Sequence, residues 1–266
     1  MRHFVIATAT AVAVASLALV STAAQTSAYK GPRTPDGKPD LNGIWQVFGT
    51  ASWDIRPHSG QMGVPAGSGV VEGDDIPYQP WAAAKKKENF ENRMTADPLA
   101  KCFLPGVPRV TYLPFAFEIT QTPKYMAIAY EYHHTSRIVY TDGSPHAQPL
   151  DLWMGDSRGR WEGDTLIIDV TDFNDQTWFD MAGNFHSDAL HVVGRYMPMD
   201  PDHMHYEATI EDPKVFTRPW KMSMIIYRRL EKGLQLFDYD CVEYFWVNYM
   251  KRKPAKALPQ NKVYFY

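Results

Sequence analysis

The stretch Tyr130-Glu131-Tyr132-His133-His134-Thr135-Ser136-Arg137 gathers side chains that could do acid–base chemistry. On a strand, Glu131 and His133 would project from one face, and Tyr130, Tyr132 and His134 from the other. The small residues Ala127 and Ala129 precede Glu131 on its face, which would leave room for a ligand inside a barrel. A carboxylate beside an imidazole can tune it and orient it as a general base. Arg137 would add a cation for developing negative charge. The competing reading is a strand end at which Glu131 and His133 face solvent.

A second group is Asn184-Phe185-His186-Ser187-Asp188 with His191, in a long connection over 172–188. Asp188 could orient His186 as the base, and Arg195 offers a second cation. If His133 approached from a neighbouring strand, His133, His186 and His191 could hold a divalent metal with a position left for water. Tyr132, Trp161 and Trp178 are rings of the kind that line small-molecule pockets, and equally of the kind that pack cores. A divalent metal is the one cofactor these residues suggest, since no P-loop or dinucleotide fingerprint appears.

Two further patterns fail on their surroundings. Gly155-Asp156-Ser157-Arg158-Gly159 fits a nucleophile elbow, but turn-like residues follow where a helix is needed, so a hairpin tip is expected. Asp172-x-Asn174-x-Gln176 begins like a calcium loop, yet Thr177 and Gly183 occupy its sixth and twelfth positions.

The elements that must position these residues are mostly strands. Residues 80–94 read as a helix, with Pro80 in its first turn and an Ala/Lys/Glu body. Period-two alternation then predicts strands over 110–121, 124–133, 136–141, 164–171, 189–197, 203–211, 220–229 and 234–242, with a small hairpin over 151–162. An earlier strand covers 41–47, and the Gly/Pro-rich 54–79 reads as loop. The fold class is therefore mainly β: an antiparallel meander closed into a calycin-like barrel, or two packed sheets, with one helix near 80–94. Gly43-Ile44-Trp45 on the first strand resembles the opening of a lipocalin or calycin barrel. That resemblance implies a Trp plugging the closed end under a basic residue from the last strand, here Arg228 or Arg229; the alternative is an ordinary core aromatic.

Residues 1–28 read as a signal peptide: Arg2, an apolar run from Phe4 to Val20, then small residues at Thr22-Ala23-Ala24 and Thr26-Ser27-Ala28. The run is short for a membrane anchor, so none is expected after cleavage. Residues 29–266 would form a single β-rich domain with an extended lead-in, in the periplasm or outside the cell. In that setting Cys102 and Cys241 read as a disulfide, or else as two separate thiols. Twenty-seven basic against 30 acidic residues give a net charge of −3, which excludes a basic nucleic-acid surface. A hydrophobic content of 45% excludes a disordered chain.

The segments WEGDTLIIDVTDFND (161–175), GNFHSDALHVVGR (183–195) and TIEDPKVFTRPW (209–220) resemble a large group of secreted soil-bacterial proteins. PRTPDGKPDLNGIW (32–45), PYQPWAAAK (77–85) and CFLPGVPR (102–109) extend the resemblance over most of the mature chain. It implies a secreted, β-rich domain and carries over no catalytic residue. The expected function is an exported small-molecule-binding protein with an aromatic-lined, His/Glu-containing barrel pocket. The alternatives are a cofactor-free or metal-assisted lyase, isomerase or hydrolase using His133 or His186, and an envelope-structural protein docking through Val263–Tyr266.

Overall fold

Strand β1, Gly43–Val47, pairs with both the next strand in the chain and the last one, and this closes the sheet. The computed structural model describes residues 29–241 except 62, 63 and 148. The expected signal peptide and the tail at 263–266 lie outside the described residues. Around the barrel follow β2 (Phe117–Gln121), β3 (Tyr125–Tyr130), β4 (Ser136–Tyr140), β5 (Asp156–Glu162), β6 (Thr165–Thr171), β7 (His191–Asp200), β8 (His203–Glu211) and β9 (Trp220–Arg228). All neighbours are antiparallel except β4 and β5, which run parallel. The connection over 141–155 therefore crosses back along the barrel, where a hairpin would have turned round.

Alternation decides what faces inward. The buried positions are Phe117 and Ile119 on β2, Met126, Ile128 and Tyr130 on β3, Arg137 and Val139 on β4, and Ser157 on β5. β8 contributes Met204, Tyr206, Ala208 and Ile210, and β9 Trp220, Met222, Met224 and Ile226. Ala127 and Ala129 lie on the outward face, so the small residues expected to open the lumen face away from it. β3 ends at Tyr130, and 131–135 is a turn in which His133 and His134 have φ of 51° and 49°.

The end of the barrel at β1 is plugged. Trp45 is 1% exposed and donates from Nε1 to the Leu41 carbonyl at 2.9 Å. The Arg228 guanidinium, on the strand paired with it, stands 4.1 Å from the ring centre. Of the two basic candidates, Arg228 occupies that place, while Arg229 bonds Glu231 and Gln46.

Helix α1 covers Pro80–Glu91 and is followed by a single-turn helix α2, Arg93–Ala96. The expected long strand at 110–121 is shortened, because Arg109–Tyr112 form a 3-10 helix ahead of β2. The expected hairpin at 151–162 is instead one strand, β5, which pairs with β6 through the turn at Gly163. Ser157 accordingly lies mid-wall and buried, not at a hairpin tip. No strand forms over the described part of 234–242. That segment lies across the β3–β4 turn, with Tyr239 accepting from the His133 amide at 2.9 Å. Cys102 and Cys241 form a disulfide that ties this segment to the region before β2.

Candidate functional site

The outward face of β5–β8 carries a row of acids and imidazoles. Asp156, Asp169 and His191 alternate with the inward residues Ser157, Val170 and Val192, and so share the outer surface. His191 stands directly opposite Glu211 on β8. His146 descends on this row from the 141–155 crossover. Its Nδ1 lies 2.9 Å from Asp156 Oδ2 and 3.2 Å from Thr171 Oγ1, and its Nε2 lies 2.8 Å from Asp169 Oδ1. The second oxygen of Asp169 faces His191 Nε2 at 3.1 Å, and His191 Nδ1 faces Glu211 at 3.4 Å. The result is a continuous row Asp156–His146–Asp169–His191–Glu211 at half-exposed depth.

The charge around His146 is strongly negative. Asp172 follows Thr171 in a left-handed conformation, with φ of 61°, and accepts from the Thr171 hydroxyl at 3.0 Å. Arg158 is the fixed cation, bonding Asp156 at 3.0 Å. Burial pushes the Asp156 carboxyl up, but the Ala147 amide, His146 and Arg158 outweigh it and hold the group below the usual carboxylate range. One donor atom each from His146, Asp156 and Asp172 lie within 4.8 Å of one another, and among the described residues this is the group placed to hold a metal ion.

His146 faces a carboxylate through each ring nitrogen, Asp156 at Nδ1 and Asp169 at Nε2. The ring is therefore held on both sides, and its Nδ1 edge is the one that also faces Thr171. A carboxylate holding the far nitrogen of a ligating histidine is the usual second shell of a metal site.

The residues singled out from sequence are placed differently. Glu131 is buried and structural: it accepts from the Ala116 amide at 3.0 Å and the Phe237 amide at 2.9 Å. His133 lies in the β3–β4 turn against the edge of the Tyr132 ring, and Tyr132 stacks on Tyr239. His186 is buried between Phe173 and Phe179, its Nε2 2.6 Å from Thr177 Oγ1. Burial pulls its pKa down, which keeps the ring neutral. Asp188 does not orient His186; it pairs at the surface with Lys214 at 2.6 Å. Arg195 reaches Glu162 at 3.4 Å on the outer wall. Trp161 and Trp178 pack part-buried against the core. Arg137 points into the barrel. Among the described residues the ligand atoms of His133, His186 and His191 do not gather within metal-holding distance, so the three-histidine metal set does not form.

His191 is thus the one residue of that set in the row. His146 carried no sequence signal of its own, because its partners come from β5 and β6 and are chosen by register. No protein-family model and no curated protein matches the chain. No helix among the described residues is long and apolar enough to cross a membrane.

Proposed function

We propose that this chain is an exported binding protein that holds a divalent metal ion, and through it a small polar ligand, on the outer face of the barrel. His146, Asp156 and Asp172 are the ligands in this reading, with Asp169 fixing the imidazole. The observation that carries it is the convergence of donor atoms from His146, Asp156 and Asp172 within 4.8 Å of one another, beside the Thr171 hydroxyl. A mixed nitrogen and oxygen set suits zinc, manganese or a similar ion, and three protein donors leave positions for solvent or ligand. The disulfide fits an oxidising compartment, and the resemblance to secreted soil-bacterial proteins points the same way.

The test is metal analysis and calorimetric titration of chelator-stripped protein with zinc and manganese. Stoichiometric binding that His146→Ala and Asp172→Asn abolish supports the reading. Wild type that binds neither ion, or variants that bind as wild type does, would overturn it.

The unbroken carboxylate–imidazole row supports a second reading, an acid–base enzyme working from the same face. His146 and His191 share Asp169, an arrangement through which a proton could be taken up at one ring and given up at the other. Turnover of a ligand found by thermal-shift screening, lost in His191→Ala, would favour it over simple binding.

A further inference from the structure

The interior of the barrel carries a cation with no counter-charge. Arg137 is 4% exposed, and its side chain points inward by the alternation of β4. Its Nε donates to Ser157 Oγ at 2.8 Å, while Nη1 makes no hydrogen bond. A guanidinium stays protonated even when buried. Its electrostatic neighbours are the phenols of Tyr196, Tyr130 and Tyr206. Burial raises the pKa of Tyr130 and Tyr206, so these two are neutral and cannot balance the charge.

No inward-facing position on the described strands carries a carboxylate. The buried acids, Asp54, Asp97, Asp180, Asp212 and Glu131, all lie outside the strands. Each is engaged elsewhere: Asp97 with Arg109, Asp180 with Asn184, Asp212 with Ser187, Asp54 with the Arg56 amide and Glu131 with two backbone amides. A second buried polar atom, Thr111 Oγ1, lies close by. The Tyr130 hydroxyl is the group that interacts with both Thr111 and Arg137. Hydroxyl and guanidinium donors therefore converge on one spot in an otherwise apolar interior.

We propose that the barrel interior at Arg137, Tyr130 and Thr111 is a binding site for a small monoanion of carboxylate type. A guanidinium offers paired donors that match a carboxylate's two oxygens, and the two hydroxyls supply further donors. Water could satisfy Nη1 but would bring no charge, and a buried ion needs both hydrogen bonds and a counter-charge. Met126, Met204, Met222 and Met224 line the same interior. Unbranched thioethers repack more readily than branched side chains, so this wall can yield to the organic part of a small acid. The site is separate from the His146 face, which lies on the outer side of the wall.

The experiment measures thermal unfolding of the full chain against rising formate, acetate, chloride and phosphate at constant ionic strength. A ligand that binds only the native state raises the midpoint with the logarithm of its concentration. The expected result is a rise with formate and acetate that continues with the logarithm of their concentration, absent with phosphate, retained in His146→Ala and lost in Arg137→Met. A response to chloride equal to that of the carboxylates would reject the carboxylate class. Wild type that responds to all four anions alike, or not at all, would overturn the site, and that outcome needs no variant to fold. An unchanged carboxylate response in Arg137→Met would overturn it equally.

Discussion

Asp169 Oδ1 lies 2.8 Å from His146 Nε2, although the two residues are 23 positions apart and one of them belongs to no strand. Asp169 is fixed in the wall by its pairing with Arg158 on β5 and Val193 on β7. It therefore acts as a rigid post on which the crossover carrying His146 is hung. Its other oxygen serves His191 at 3.1 Å, so one carboxylate orients two imidazoles.

Asp169→Asn leaves one acceptor oxygen for two rings. One of the two rings then loses its carboxylate oxygen, and the orientation of His146 is less firmly held. Metal affinity is expected to fall about 10–100-fold, the usual effect of losing such a carboxylate. Calorimetric titration checks this, and an affinity equal to that of wild type would detach Asp169 from the site.

Asp180 should make stability depend on pH. Its carboxyl is fully buried and accepts from Ile55 N and from both nitrogens of Asn184. Burial and the nearby charge of Asp54 push its pKa up from 3.8 to about 7. The folded state thus holds this proton more tightly than the unfolded chain. The contribution is fully present below the unfolded value of 3.8 and is lost as pH rises towards and through about 7. Urea titrations across that window should show this decline in wild type and a flatter profile in Asp180→Asn, whatever the variant's absolute stability.

Arg228 closes the plugged end by bonding three backbone carbonyls, Asn42, Asp40 and Pro201, while covering Trp45. Arg228→Ala removes these contacts together. A loss of about 1.5–3 kcal/mol is expected, the range for hydrogen bonds to a charged group. It should come with a red shift of Trp45 emission as water reaches the ring. Urea denaturation followed by fluorescence measures both, and unchanged stability would mean that the plug holds without its cover.

The disulfide anchors the segment after β9. Cys102→Ser with Cys241→Ser should cost about 2–5 kcal/mol, as for other native bridges. The region around Phe237 and Tyr239 should then become the first site of proteolysis. Limited digestion of oxidised, reduced and variant protein would show it, and equal cleavage rates in all three would contradict it.

Much of the barrel was legible because alternation is local. The apolar–polar rhythm of 203–211 and 220–229 marks strands wherever they pair, and β8 and β9 fall within those spans. The plugged end at Trp45 was suggested only by the resemblance of Gly43-Ile44-Trp45 to a lipocalin or calycin opening, with an ordinary core aromatic as the alternative. The failures cluster where tertiary contacts override local pattern. Residues 234–241 alternate like a strand, yet the disulfide and the Glu131 and His133 contacts lay them across a turn.

The candidate site was the least legible part. Glu131 and His133 were placed on one strand face by spacing, but β3 ends one residue earlier and the two serve a turn. His146 could not be singled out, because it sits in an irregular connection and has meaning only once β4 and β5 run parallel and bring that connection over the outer wall. The sequence by itself determined the class of fold, mainly β, and offered the Cys102–Cys241 bridge and the Trp45 plug each as one of two readings. Tertiary structure alone decided which side of the wall each charge occupies. A shift of register by one residue exchanges inside for outside along a strand, so Arg137 could be a surface cation or a buried one until its neighbours across β3 and β5 were known.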